Sequence, residues 1–292
     1  MRLGLFNGGR LGAVHEGQVY DVSSLVGEPG PAGRLDAAIR AGITSIPSEL
    51  LTAPAVSGDT VSVDDVQWEA PLPRPGKIIG APANYYDHID EMPNSATILE
   101  WGFFLKAATS VIGPNGTVEI PYTDVPTHHE GELAVVIGKG GRDISLDDAW
   151  DHVYGYTCVL DITIRSSEDR STRKSFDTFT PLGPVVVTAD DVADAANLDL
   201  RLTVNGEERQ SSNTSKLIYG IPELIAYASS VTTLEPGDVI ATGTPSGVSE
   251  IFDGDVVTVV IDGIGELTVD VTNRRAVPHA DRPGPKTALR RS

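Results

Sequence analysis

Residues 127–138 read Thr127-His128-His129-Glu130-Gly131-Glu132-Leu133-Ala134-Val135-Val136-Ile137-Gly138. Leucine, valine and isoleucine run into a glycine that can turn the chain, so the segment predicts a β-strand. Side chains alternate along a strand. Glu130 and Glu132 therefore share a face with Ala134 and Val136, while Leu133, Val135 and Ile137 fill the other. A strand that is apolar on both faces is buried between two layers, and two carboxylates entering it are costly unless paired. Two readings are open on this segment alone: a frayed, solvated strand end, or a cation site.

Composition narrows the function classes. The chain has 292 residues, of which 40% are hydrophobic and 22% charged, enough for a substantial core in one large domain or a small one plus a larger one. Its 30 glycines and 20 prolines imply many turns and a strand-rich fold with long loops. The formal charge of -19 argues against a nucleic-acid or anionic-membrane partner, either of which would select a basic face. Cys158 is the single cysteine, so no intramolecular disulfide forms, and its apolar neighbours mark a packed thiol rather than a nucleophile. Residues 1–7 lack the apolar run of a signal peptide, and no stretch reaches the ~18 apolar residues of a membrane span. A reducing, cytoplasmic compartment is expected.

Along the chain, residues 1–70 read as a small N-terminal domain. Short strands at 2–6, 10–14 and 18–22 are broken by Asn7-Gly8-Gly9 and Glu16-Gly17 turns, and short helices are expected near 37–41 and 47–52. Pro71-Leu72-Pro73-Arg74-Pro75-Gly76 is a stiff, extended connector and marks the boundary. Residues 71–277 form the expected main domain, and 278–292, rich in proline and basic residues, a flexible tail.

Three places in the main domain carry chemistry. In Asn84-Tyr85-Tyr86-Asp87-His88-Ile89-Asp90-Glu91, one helical turn brings Glu91 beside His88. A carboxylate there orients the imidazole and raises its basicity, as water activation requires; a surface histidine with an acidic neighbour has the same spacing. Asp161 sits inside the apolar strand 153–164 and needs a partner, either a cation site or an ion pair with Arg165 or Lys174. Residues 165–173 read as a charged, exposed loop, and 174–184 as a rigid, polar wall. Other expected features are a helix start at Ser145 with Asp148 in the capping-box position, a hairpin at Asn205-Gly206, a helix over 222–230, and a loop at Gly243-Thr244-Pro245-Ser246-Gly247, read either as exposed amides and hydroxyls that could hold an anionic group or as a plain tight turn.

In this order the motifs resemble the fumarylacetoacetate hydrolase family. The matching residues are Asn84-Tyr85 with His88 and Glu91, Phe104-Leu105-Lys106, Glu130-Gly131-Glu132-Leu133, Gly155-Tyr156 with Asp161, Lys174-Ser175-Phe176-Asp177-Thr178-Phe179, Asn205-Gly206, and Pro236-Gly237-Asp238 with Gly243-Thr244-Pro245. The resemblance covers roughly residues 75–272.

The resemblance implies a strand-rich α+β protein with a mixed β-roll or sandwich. It implies Glu130, Glu132 and Asp161 as ligands of Mg²⁺ or Mn²⁺, with Ca²⁺ as a possible substitute. Three carboxylates leave positions open for a chelating 2-oxo acid substrate, since Mg²⁺ takes about six oxygens. By the same resemblance His88 with Glu91 would activate water, Lys174 would stabilise an oxyanion, and Tyr85, Lys106, Gln210 and Thr244 would bind substrate. A lid over residues 88–101 and a homodimer are also implied. The expected reaction is hydrolysis of a C–C bond in an acylpyruvate. Decarboxylation or isomerisation of an unsaturated oxo diacid is the near alternative, and a non-catalytic Ca²⁺-binding β-protein the distant one. Ala83, where many family members carry a larger residue, and Ser249, where glycine is frequent, depart from the pattern; the first leaves substrate identity open.

Overall fold

Gly131–Ile137 forms the expected strand, and each of its residues is buried. Its two faces enter two different cores. Leu133, Val135 and Ile137 pack with Tyr156, Cys158 and Leu160 and with Leu200, Leu202 and Val259 of a second sheet. Ala134 and Val136 pack with Leu3, Leu5, Leu35 and Val159 on the other side. The alternation read from the sequence is thus the layering of the molecule. The architecture is strand-rich α+β.

The computed structural model describes residues 1–30, 32–51, 60–91 and 97–282. Among them the main sheet has the order Val61–Ser62, Gln18–Asp21, Arg10–His15, Arg2–Phe6, Thr180–Thr188, Val153–Leu160, Gly131–Ile137, Val239–Ala241, Ile78–Gly80 and Phe104–Lys106. Val111–Ile112 pairs in parallel with Thr180–Thr188. The N-terminal strands hydrogen-bond directly into this sheet, with Arg2 opposite Val187 and Leu3 opposite Val186. A second sheet, ordered Glu207–Asn213, Asp199–Val204, Val256–Ile261, Gly265–Thr272 and Thr117–Glu119, covers the first core. Asn205-Gly206 makes its predicted hairpin turn, both residues having positive φ.

One end of the main sheet gathers the chemistry. Gly131–Ile137 runs antiparallel to both neighbours, Val153–Leu160 and Val239–Ala241, and Val239–Ala241 runs parallel to Ile78–Gly80. The start of the first strand therefore lies beside the ends of the other three. Glu130, Asp161, Thr242-Gly243-Thr244 and Ala81-Pro82-Ala83 all emerge at that edge.

Gly131 is required at this edge by the second sheet. A Cβ there would lie 2.9 Å from Leu202 Cδ1 and 3.2 Å from Val259. Gly131→Ala is expected to destabilise the protein by about 1–3 kcal/mol, the usual cost of forcing a methyl group into a packed core. Urea unfolding measures this; an unchanged midpoint would mean the two sheets separate without cost.

Helices form at Arg34–Arg40, Ser48–Leu51 and Ile221–Val231, close to their predicted places; Thr52 lies outside the described residues. The start at Ser145 is different. Ser145 Oγ and Asp148 bond to each other as a cap would, but only a 3₁₀ turn follows, at Ala149–His152. The carbonyl of His152 is taken by the amide of Gly138 at 2.8 Å, which draws the chain into the sheet before a helix can propagate. Cys158 is buried and free, and burial pushes its thiol up to about 12. Of the proposed tail, residues 278–282 fold back, with Arg282 Nη1 2.7 Å from Glu168; residues 283–292 lie outside the described ones. Among the described residues no helix is long and apolar enough to cross a membrane.

Candidate functional site

The register of two neighbouring strands builds an acidic cluster. Gly131 pairs with Leu160 and Glu132 with Val159, so the next step out sets Glu130 opposite Asp161, and the Asp161 amide donates to the Glu130 carbonyl at 2.8 Å. Directly opposed residues point the same way, and Glu132 returns to that face two residues on. Glu130, Glu132 and Asp161 thereby offer one oxygen each, all within 4.8 Å of one another. They are 5%, 2% and 1% exposed, which rules out the solvated strand end.

Each carboxylate meets the burial in its own way. Lys174 Nζ bridges Glu130 Oε2 and Asp161 Oδ2, both at 2.6 Å. Lys106 Nζ donates to Asp161 and, at 2.7 Å, to the Phe179 carbonyl. Arg165 Nη2 reaches Glu130 Oε1 at 3.2 Å. Burial opposes ionisation of Glu130, but Lys174 and Arg165 more than offset it and hold its carboxyl well below the usual range. Burial likewise opposes the Lys174 charge, and Asp161 and Glu130 raise its pKa in net. Lys106, completely enclosed, is pushed down by burial.

Glu132 differs. It accepts from the Gly243 amide at 2.7 Å and makes no ion pair among the described residues. Burial, then repulsion from Asp161, push its carboxyl well above the ordinary value. An all-oxygen donor set with one uncompensated member fits a hard divalent cation such as Mg²⁺ or Mn²⁺.

The expected His88–Glu91 pair forms on the short helix Tyr86–Asp90, with Nδ1 3.4 Å from Glu91 Oε2. Glu91 is held from behind by the Gly247 amide, 2.8 Å from Oε1. His88 is buried and lines the same cleft as the three carboxylates, Lys174 and Thr244. Ala83 also lines it, in the left-handed region at φ 49°, a strained conformation of the kind that collects at functional sites. Of the implied lid, residues 92–96 lie outside the described residues; Ile98–Trp101 is a helical turn whose Trp101 faces the cleft.

The four expected substrate contacts are placed unequally. Thr244 reaches the cleft, but its hydroxyl donates to the Gly131 carbonyl at 3.0 Å. Gln210 accepts from the Gly131 amide at 2.9 Å and donates to Thr244 Oγ1 and the Pro245 carbonyl, both at 2.8 Å. It clamps the loop after Thr242 to the start of the central strand. Lys106 lies beneath Asp161, and Tyr85 is buried near Glu132, with burial first and that charge second raising its phenol pKa.

Residues 165–173 correct the sequence reading. They are not an exposed loop: Thr163–Ile164 pairs with Thr127–His128, and this swings Arg165 back over Glu130. Asp169 then caps the turn Arg170–Arg173, its side chain accepting from the Ser171 amide at 2.8 Å. Arg165, Arg170 and Arg173 all line the cleft. Asp161 pairs with Lys174, as the ion-pair reading had it, and Arg165 pairs with Glu130 instead. The available signal was the strand-like Thr163-Ile164 directly after Asp161-Ile162; its partner, Thr127–His128, is not local.

Residues 77–272 match the family model described as fumarylacetoacetate (FAA) hydrolase C-terminal. The chain belongs to the fumarylacetoacetate hydrolase family. Within the family it is 39% identical over 289 residues to a maleylpyruvate hydrolase of Aquipseudomonas alcaligenes, covering 93% of this chain and 99% of that one. It is 44% identical over 222 residues to an oxaloacetate tautomerase of Bacillus subtilis, covering 71% of this chain and 73% of that one. A maleylpyruvate hydrolase of Sphingobium sp. SYK-6, solved in complex with manganese(II) ion and pyruvate, superposes with a TM-score of 0.81 at 41% identity, covering 94% of this chain and 99% of that one. The family thus includes both hydrolases and tautomerases among the relatives of this chain.

Proposed function

We propose that the chain is a divalent-metal-dependent hydrolase that cleaves a C–C bond in an acylpyruvate-type 1,3-diketo acid. The observation that carries this reading is the meeting, in one cleft, of a buried three-carboxylate cluster and a His–Glu pair anchored outside it. Glu130, Glu132 and Asp161 would hold Mg²⁺ or Mn²⁺. When bound, the cation supplies a Lewis acid that takes the carboxylate and 2-oxo oxygens of the substrate and stabilises enolate charge.

The residues divide the remaining work. Glu91, fixed by the Gly247 amide, orients His88 through Nδ1, leaving Nε2 to take a proton from water. The water oxygen attacks the distal carbonyl carbon. Lys174 commits two of its three donors to Glu130 and Asp161, so one N–H remains for the oxyanion that develops. Collapse breaks the C–C bond, leaving the acyl half as a carboxylic acid; its electron pair and one proton go to the other half, which leaves as pyruvate. Pyruvate in the manganese-containing relative agrees with such a product. We also propose that the protein works as a homodimer.

A second reading, tautomerisation of a 2-oxo diacid, is favoured by the 44% identity to an oxaloacetate tautomerase. It would use the same cation and His88 to move a proton without adding water. A substrate panel separates the two. Acylpyruvates, oxaloacetate and unsaturated oxo diacids are supplied with Mg²⁺, Mn²⁺ or chelator, and products are identified. Cation-dependent release of pyruvate plus an acid supports hydrolysis; enol–keto exchange alone, with every acylpyruvate recovered, would overturn it.

A further inference from the structure

The loop that follows Val239–Ala241 ties the His88–Glu91 pair to the strand that carries the acids. Toward the pair it makes two bonds: the Gly247 amide to Glu91 at 2.8 Å, and Ser246 Oγ to Asp87 Oδ2 at 3.2 Å, one residue before His88. Toward the strand it is held by side chains on either side of Gly247. Gln210 holds the first half, accepting from the Gly131 amide and donating to the carbonyls of Pro245 at 2.8 Å and Ser246 at 3.4 Å. Ser249 holds the second half. Its Oγ lies 2.9 Å from His129 Nε2, and its carbonyl accepts from the His129 amide at 3.2 Å. His129 is fully buried and stands next to Glu130.

Gly247 hangs between these two anchors. Its φ is 92°, and a Cβ there would collide with the Arg209 carbonyl oxygen. The loop is therefore pressed onto Glu207–Asn213 at the very residue whose amide holds Glu91. Without the Ser249 hydroxyl, the chain beyond Gly247 keeps its main-chain bonds, from His129 to the Ser249 carbonyl and from Ile251 to the Thr127 carbonyl. Those preserve the fold. The side-chain bond to a buried ring adds a fixed distance between the loop and the acid strand, and a proton-transfer pair misplaced by about 1 Å loses much of its rate. We infer that Ser249 is a positioning residue for the reaction. Through His129 it seats the loop on the carboxylate strand, and through Gly247 and Glu91 it sets His88 against the cation site. This rests on His88 as the group that moves the proton, which is common to both readings above.

Steady-state turnover of the full-length, Mn²⁺-loaded protein tests this. It is followed as pyruvate release from an acylpyruvate or as enol–keto exchange of oxaloacetate, whichever the substrate panel reveals. Ser249→Ala is expected to lower kcat by about 10-fold, the scale of one hydrogen bond, with KM and calorimetric Mn²⁺ affinity unchanged. In a Glu91→Ala background Gly247 has no carboxylate to hold, and the same substitution should change kcat by less than about 2-fold, the ordinary error of additivity. General loosening of the fold would lower kcat in both backgrounds alike. An unchanged kcat in Ser249→Ala would overturn the assignment, as would an equal loss in the two backgrounds. A loss carried by KM or by Mn²⁺ affinity would overturn it too, placing Ser249 with the substrate or the cation. Each of these results leaves the His88–Glu91 reading standing. Absence of both reactions in the unsubstituted protein would remove that reading, and the role of Ser249 with it.

Discussion

Glu132→Gln is expected to abolish tight Mg²⁺ or Mn²⁺ binding and to lower turnover by more than about 100-fold, the upper end of what losing even an outer-shell partner of a metal costs. The fold should survive. Glu132 accepts one hydrogen bond, from Gly243, and no ammonium or guanidinium depends on it. Its carboxyl is pushed toward the neutral form by burial and by Asp161, so a neutral amide of the same shape suits the cation-free state. Asp161→Asn is expected to act differently, because Asp161 meets both Lys106 and Lys174. Weakening it leaves two enclosed ammonium groups undercompensated. Stability should then fall along with cation affinity, toward the about 3–5 kcal/mol typical of breaking a buried ion pair. Titration calorimetry with Mn²⁺ and denaturant unfolding separate the two effects. Unchanged Mn²⁺ affinity in Glu130→Gln, Glu132→Gln and Asp161→Asn would sink the metal assignment.

His88→Ala is the complementary result: cation binding retained, hydrolysis reduced by about 10²–10⁴-fold, the range for loss of a general base. His88 lies on the helix Tyr86–Asp90 outside the carboxylate cluster, and its ring is tied to Glu91 rather than to any of the three acids. Removing the ring leaves Lys174, Asp161 and Glu130 with their partners. Pyruvate release measured beside Mn²⁺ titration decides the matter. Wild-type hydrolysis in the variant would eliminate the dyad mechanism, and loss of Mn²⁺ binding would mean that the imidazole belongs to the metal site.

Much of this was legible because it is local or periodic. The alternation from Leu133 to Ile137 named two buried faces, and the structure places those faces in two cores. The spacing of His88 and Glu91 needs only one helical turn. Asn205-Gly206 specifies its hairpin through positive φ. Ser145 shows where local signals stop: its cap forms, yet sheet pairing at His152 overrides the helix it announces.

The carboxylate cluster itself lies between the two cases. Apolar flanks marked Glu130, Glu132 and Asp161 as needing partners, but their convergence depends on the register between Gly131–Ile137 and Val153–Leu160, which no local pattern encodes. The pairing Gly131 with Leu160 decides it.

By itself, the amino-acid sequence determined the family, the strand-rich class, the three acids and the His–Glu pair, since each rests on composition, period or ordered motifs. Only the tertiary structure decided which cation serves which carboxylate: Lys174 between Glu130 and Asp161, Lys106 under Asp161, Arg165 on Glu130. It alone turned residues 165–173 from an apparent surface loop into an arginine wall, and set Gln210 and Thr244 to clamping Gly131. The physical reason is common to all of these. Ion pairs and clamps are made by side chains brought together through strand order and register, and charge in a sequence carries no direction until a sheet gives it one.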